Sequence, residues 1–286
     1  MRTLASHALK MILLLVLGGF LGATLVRIAP GYGVDEQELD SRLSHESIQA
    51  LRTVNNTADS LPAYYLGYLR GLMHGNLGFS QTLQEPVAQL IAERFPETLK
   101  SVTFGLLFAW TFGLCFAIAP ILLRNAAADI FSNILAGTLL CIPAAVLGLL
   151  FVIAHAPSRL VIGVVIFPKI YRYASNLIRH QVGQPHVVTA WAKGLGSIRI
   201  VYRHILPMAG PQLLALAGIS ISLAFAAAIP VEVVCDLPGI GQLAWKAALG
   251  RDFALLVNLT MIVTCITLFA NSVAELGGRS VQVREA

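Results

Sequence analysis

Long apolar runs separated by short polar breaks dominate the chain. Residues 11–26, 99–123, 130–154, 208–229 and 253–274 each approach or exceed the roughly 20 mostly apolar residues that a membrane-spanning helix needs. A sixth run, at 159–173, is shorter and is interrupted by Pro168-Lys169. Pro143, following Cys141, predicts a kink in the run at 130–154. Arg2 and Lys10 precede the first run, no small-x-small cleavage site follows it, and Arg27-Ile-Ala-Pro30 ends it abruptly, so it reads as a retained first span rather than a secretory signal. Within it, Gly18-x-x-x-Gly22 would permit close helix contact.

The polar breaks differ in charge. Residues 31–97 hold nine acids against four bases, whereas the connection before the fifth run holds Lys169, Arg172, Arg179, Lys193, Arg199 and Arg203 without an acid. Cytoplasmic loops carry the excess of Lys and Arg, so the acidic stretch is expected outside and the basic one inside, with both termini cytoplasmic. Arg159 falls on the outer side as an exception. In the acidic stretch Ser44 is expected to cap a short helix and Asn55-Asn-Thr-Ala-Asp59 to form a turn. Pro86 is expected to open a helix whose Val87, Leu90, Ile91 and Phe95 form one apolar stripe, lying on the membrane surface or on a neighbouring span.

Composition supports the membrane class: of 286 residues, 56% are hydrophobic and 12% charged. The net charge of +5 is scattered over the loops, which fits orientation in a bilayer and excludes nucleic acid as a partner. Cys115, Cys141, Cys235 and Cys265 show no metal-type spacing and no disulfide is expected, three lying in apolar runs and Cys235 in an external loop. There is no Gly-x-x-x-x-Gly-Lys-Ser/Thr loop, no His-Glu-x-x-His and no Gly-x-Ser-x-Gly, so neither nucleotide binding nor hydrolytic chemistry is expected of this chain. Charged groups are nearly missing from the spans, with Asp129 and Glu275 near span ends. Ion-coupled carriers use intramembrane ionisable groups, so energy is expected from another chain. Thr260, Thr264, Thr267 and Asn271 recur at spacings of three and four and give the last span one polar face, read either as interhelical hydrogen bonding or as a hydrated pathway.

The basic connection reads as helix, glycine break, then a second helical run: Thr189, Ala190 and Lys193 precede Gly194, nine residues follow, and His204-Ile205-Leu206-Pro207 closes it. Gly194 suits a sharp turn with positive φ, and Pro207, which lacks an N–H, suits the first turn of the next span. This pattern resembles the coupling loop of bacterial ABC-importer permeases, in which Glu-Ala-Ala, three residues, Gly, nine residues and Ile-x-Leu-Pro recur. Thr-Ala-Trp-Ala-Lys-Gly, followed by Arg203-His204, is most similar to the dipeptide, oligopeptide and nickel branch; Val188 takes the Glu place and Trp191 stands where that branch usually has Arg. Two further segments resemble the same branch: Gly75-Asn-Leu-Gly-Phe-Ser80 with Pro86-Val87 and Arg94-x-Pro96-x-Thr98-Leu99, and Val231-Glu232 with Leu237-Pro238-Gly239-x-Gly241 and Arg251-Asp252.

The resemblance implies an all-α integral membrane permease with six transmembrane helices: an N-terminal span plus external segment over 1–98, a transmembrane domain over 99–278 with a cytoplasmic coupling-helix loop at 177–207, and a tail at 279–286. It implies a multi-pass place in the bacterial cytoplasmic (inner) membrane. It also implies a second homologous permease, two ABC ATPase subunits that carry the ATP, and an external substrate-binding protein, with no cofactor on this chain. Thr189, Ala190, Lys193, Gly194, His204, Leu206 and Pro207 become candidates for ATPase coupling. Glu232, Pro238, Gly239 and Asp252 become gate candidates at the outer mouth, with Thr260, Thr264 and Asn271 along the pathway. Two alternatives stay open on the residues alone: an ion-coupled carrier or channel without an ATPase, and a membrane enzyme acting on a lipid substrate.

Overall fold

The computed structural model describes residues 74–250 and 252–285, with 13, 17–20, 24, 66 and 69–72 before them; side chains at 253 and 276–285 are not described. Most of the expected first span, the Ser44 cap, the turn at 55–59 and Arg251 lie outside the described residues. Phe79–Ser80 (β1) pairs antiparallel with Glu85–Pro86 (β2). The helices that follow are Val87–Leu123 (α1), Ala126–Cys141 (α2), Ala144–Ile153 (α3), Leu160–Val182 (α4), Pro185–Ala192 (α5) and Ser197–Ile200 (α6). A π-turn at Val201–Ile205 leads into Leu206–Val234 (α7), and Ile240–Leu249 (α8) and Phe253–Glu285 (α9) complete the chain. Among the described residues four helical stretches are long and apolar enough to cross a membrane, or five if α2 and α3 together make one span.

Three boundaries differ from the sequence expectation. The surface helix and second span are one 37-residue helix, α1, which passes through Pro96. Of its apolar stripe Val87 and Leu90 are buried, 0% and 5% exposed, while Ile91 and Phe95 are half-buried. Burying two such side chains, at about 1.5–3 kcal/mol each, offsets a penalty of about 3 kcal/mol for an interior proline. The run at 130–154 is broken rather than kinked, α2 and α3 meeting at 98°. Pro143 disfavours the helical region for the residue before it, and Ile142 is extended at φ −90° and ψ 122°. Pro168 interrupts nothing: α4 runs 23 residues through it.

The chain divides into two compact units. The first, residues 1–93 with 244–264, holds the β1–β2 hairpin and the start of α9. The second, residues 94–243 with 265–286, is built round α4, which packs on α2, α3 and α7. Ile162, Ile166, Ile170, Ala174 and Ile178, at intervals of four, are fully buried and form its spine. Glycines bring α1 against α4: a Cβ on Gly105 would lie 2.8 Å from Ile162 Cγ2, and one on Gly113 would lie 2.9 Å from Ile170 Cγ2. A Cβ on Gly218 of α7 would likewise meet that of Ala274 at 2.6 Å. Without a hydrophobic force between helices in lipid, such close backbone approaches and polar bridges hold the bundle. The bridges here are Trp110 Nε1 donating to Ser220 Oγ at 3.0 Å and Asn271 Nδ2 donating to Ser222 Oγ at 3.2 Å.

Overpacking a filled site costs about 1–3 kcal/mol, so Gly105→Leu and Gly218→Val should each lower the thermal midpoint of the detergent-solubilised protein. Gly137→Ala, where nothing lies within 4 Å of the added carbon, should leave it unchanged or slightly raised; differential scanning fluorimetry separates the three.

Candidate coupling surface and Glu232 clasp

Pro185 supplies the first turn of α5, where a missing N–H costs nothing, and Thr189 Oγ1 folds back on the Pro185 carbonyl at 2.8 Å. The helix buries Val187 and Ala190 and exposes Val188, Thr189 and Lys193. Ala190 is therefore a packing residue rather than part of the exposed face. Gly194 N–H donates to Trp191 O at 2.9 Å and Leu195 N–H to Ala190 O at 3.3 Å. This pair of bonds is the Schellman ending, which needs a left-handed residue, and Gly194 has φ +75°. The glycine is required for its backbone, because no neighbour lies within 4 Å of where its Cβ would be.

After that turn the chain does not begin a new helix at Pro207. It begins at Ser197 and continues unbroken to Val234. Pro207 cannot donate to the preceding turn, and the helix adapts by widening: Leu206 N–H reaches back to Val201 O across the π-turn. His204 and Leu206 are half-buried along this stretch and Pro207 is exposed. His186 Nε2 donates to the His204 carbonyl at 3.3 Å, joining α5 to the π-turn.

At the far end of the same helix Glu232 is 1% exposed. Thr98 Oγ1 donates to its Oε1 at 2.7 Å, and Gly241 N–H to its Oε2 at 2.7 Å. Thr98 Oγ1 in turn accepts from Ile240 N–H at 2.8 Å. The carboxylate thus caps the amino end of α8, where unpaired amides and the helix dipole favour negative charge. The Pro238-Gly239-x-Gly241 pattern follows from this: a side chain on Gly239 would overlap the Glu232 carboxylate, and a Cβ on Gly241 would lie 2.7 Å from Ile229 Cα. Pro238 is exposed and Gly239 buried.

Asp252 makes a second buried anchor within the first unit. Its Oδ2 accepts from Ser80 Oγ at 2.6 Å and Thr82 N–H at 3.2 Å, while Oδ1 caps α9 through Leu255 N–H at 3.0 Å. Asn258 Nδ2 donates to the Leu77 carbonyl at 2.7 Å, and Gly78, at φ +83°, packs near Ala254. The Gly75–Ser80 segment is therefore tied to the head of the last helix.

Among the pathway candidates, Thr260 is exposed and bonds its own helix at Leu256 O, and Asn271 keeps a buried Oδ1 with no partner. Thr264 is half-buried. Thr98 and Ser80 belong to the clasps but were absent from the candidate residues, although both stand in the recurring patterns. Arg124 was missed altogether: its Cζ lies 4.4 Å from the Trp191 ring centroid.

Comparison with known proteins gives the family. Residues 91–283 match the family of binding-protein-dependent transport system inner membrane components. A putative peptide permease of Brucella ovis is 29% identical over 299 residues, covering 92% of this chain and 94% of that protein. The di/tripeptide transport system permease of Pseudomonas aeruginosa is 25% identical over 319 residues, covering 92% and 93%. The inward-facing MetNI methionine ABC transporter shares the fold at a TM-score of 0.61 and 17% identity, over 68% of this chain and 97% of that one. This chain therefore belongs to the family of binding-protein-dependent transport system inner membrane components, as a permease subunit of an ABC importer.

Removing Glu232 strands the Thr98 and Gly241 donors, at about 1–3 kcal/mol for each buried group left unpaired. Glu232→Ala should therefore speed amide hydrogen exchange over residues 240–243 by roughly tenfold or more, and Asp252→Ala should leave those amides as they are.

Proposed function

We propose that this chain forms half of a translocation pathway for peptides or a related small solute, paired with a second homologous permease and driven by two ATPases that bind the ATP. The names of the related permeases support the peptide class, and selection of the individual solute falls to an external binding protein. The observation that carries the reading is the continuous helix from Ser197 to Val234, which begins beside the glycine-turned segment and ends at the Glu232 clasp. Thr189, Lys193 and Gly194 face the ATPase, His204, Leu206 and Pro207 pass its movement on, and Ala190 holds α5 to the bundle.

Six spans complete the membrane domain, the first from residues 11–26, with both termini in the cytoplasm. Contacts within the second unit support this sidedness. Arg124 with Trp191 and Arg179 with Asp129 join helix ends expected inside, whereas Arg159 with Glu97 at 2.7 Å and Glu232 with Thr98 join ends expected outside. ATP binding draws the ATPases together and the α5 segments with them. The long helix then tilts as a body, carrying the residues clasped to Glu232, and the pathway opens outward. Glu232 and Gly239 act by fixing the gate helix α8, and Asp252 by fixing the head of α9; Thr260, Thr264 and Asn271 supply polar groups along the route.

A β-branched residue at φ +75° carries a left-handed strain of about 1–2 kcal/mol and disturbs the Schellman turn. Gly194→Val should cut uptake and substrate-stimulated ATP hydrolysis at least tenfold while membrane insertion persists; unchanged uptake would count against coupling through this segment. A cysteine at Thr189 should react with a membrane-impermeant maleimide in inverted vesicles but not in intact cells.

A further inference from the structure

Arg124 lies in the two-residue connection between α1 and α2, and its backbone is left-handed at φ +50°, which residues with a Cβ rarely adopt. The turn is held from both sides. Asn125 N–H donates to Pro120 O at 3.3 Å, and Asn125 Oδ1 caps α2 through Ala127 N–H at 2.9 Å. This conformation carries the exposed Arg124 guanidinium over the Trp191 ring, 4.4 Å from its centroid. Asp129, the nearest acid in sequence, is engaged by Arg179, and among the described residues Arg124 forms no ion pair. A guanidinium held over an aromatic ring keeps N–H donors for a further partner, and arginine's fork of donors can grip a carboxylate with two bonds. Exposed Lys193 stands two residues beyond Trp191 at the end of α5.

We propose that Arg124 and Trp191 together form a carboxylate-binding site for the docked ATPase, so that the α1–α2 connection is a second part of the coupling surface. The occupant is an acidic side chain of the ATPase subunit, favoured by the basic character of a connection whose Arg179, Lys193, Arg199 and Arg203 are accompanied by no acid. The tryptophan positions the cation, and the cation meets the partner. This inference rests on the coupling role proposed above.

The test is titration of the cognate ATPase subunits onto the permease pair in nanodiscs of neutral phosphatidylcholine, at rising sodium chloride. Arg124→Gln and Trp191→Ala should each weaken binding roughly fivefold, the double variant should be no weaker than either single one, and Arg124→Gln should flatten the salt dependence because one charge contact is gone. Arg124→Lys should keep the salt dependence, which a merely structural role for Arg124 would not require. Unchanged affinity in Arg124→Gln, effects that multiply in the double variant, or a loss seen only in nanodiscs of anionic lipid would each overturn the proposal. The Gly194→Val variant separates the two readings. If it abolishes coupling while Arg124→Gln binds normally, only this inference fails; if it transports normally, the coupling role itself fails.

Discussion

In hydrocarbon a backbone amide or carbonyl has no water to turn to, and each one left open costs several kcal/mol. The second unit is organised by how it meets that constraint at its prolines. At Pro143 the helical path breaks and turns through 98°. At Pro207 it does not break, because the π-turn at Val201–Ile205 shifts the bonding by one residue and Leu206 donates to Val201. The result is a single 38-residue helix from Ser197 to Val234. One end adjoins the exposed face of α5 and the other is knotted by Glu232, so the two candidate regions are ends of one object.

Both buried carboxylates do the same physical work in different units. Glu232 and Asp252 are 1% and 4% exposed, and a charge so enclosed survives only when its oxygens are met by donors. Each recruits backbone amides at the start of a helix together with a hydroxyl from a distant segment: Thr98 for Glu232, Ser80 for Asp252. Under the proposed function these groups are anchors of gating elements rather than polar stations that a solute touches. That distinction explains why small residues surround them. Gly239, Gly241 and Gly250 sit where a side chain would strike Glu232, Ile229 and Thr82 respectively.

Local chemistry was legible in the sequence wherever one residue type admits one backbone solution. Gly194 was expected at positive φ and adopts it, and Pro143 was expected to disturb the third run and does so more sharply than a kink. Pro96 and Pro168 were harder to read, because burial of flanking side chains decides whether a helix continues through a proline, and burial is a tertiary quantity. The glycine pair at 18 and 22 was visible by its spacing of four, yet the close approaches in the second unit use Gly105, Gly113 and Gly218, whose partners lie on other helices. The Glu232 clasp joins residues 134 positions apart. Its members stood in recurring patterns, but nothing in a linear string states that they touch. Arg124 carried no pattern at all, since its role depends on a ring brought to it by folding.

The central claim is that the helix from Ser197 to Val234 is one body linking the α5 segment to the Glu232 clasp. Spin labels at Ile198 and Ile229, both exposed, in a background with Cys115, Cys141, Cys235 and Cys265 replaced, report on it directly by pulsed dipolar spectroscopy. The account predicts a single distance of about 46 Å from the helical rise, the same in nucleotide-free and ATP-trapped transporter. A second population displaced by about 5 Å or more, the length of one helical turn, would contradict it.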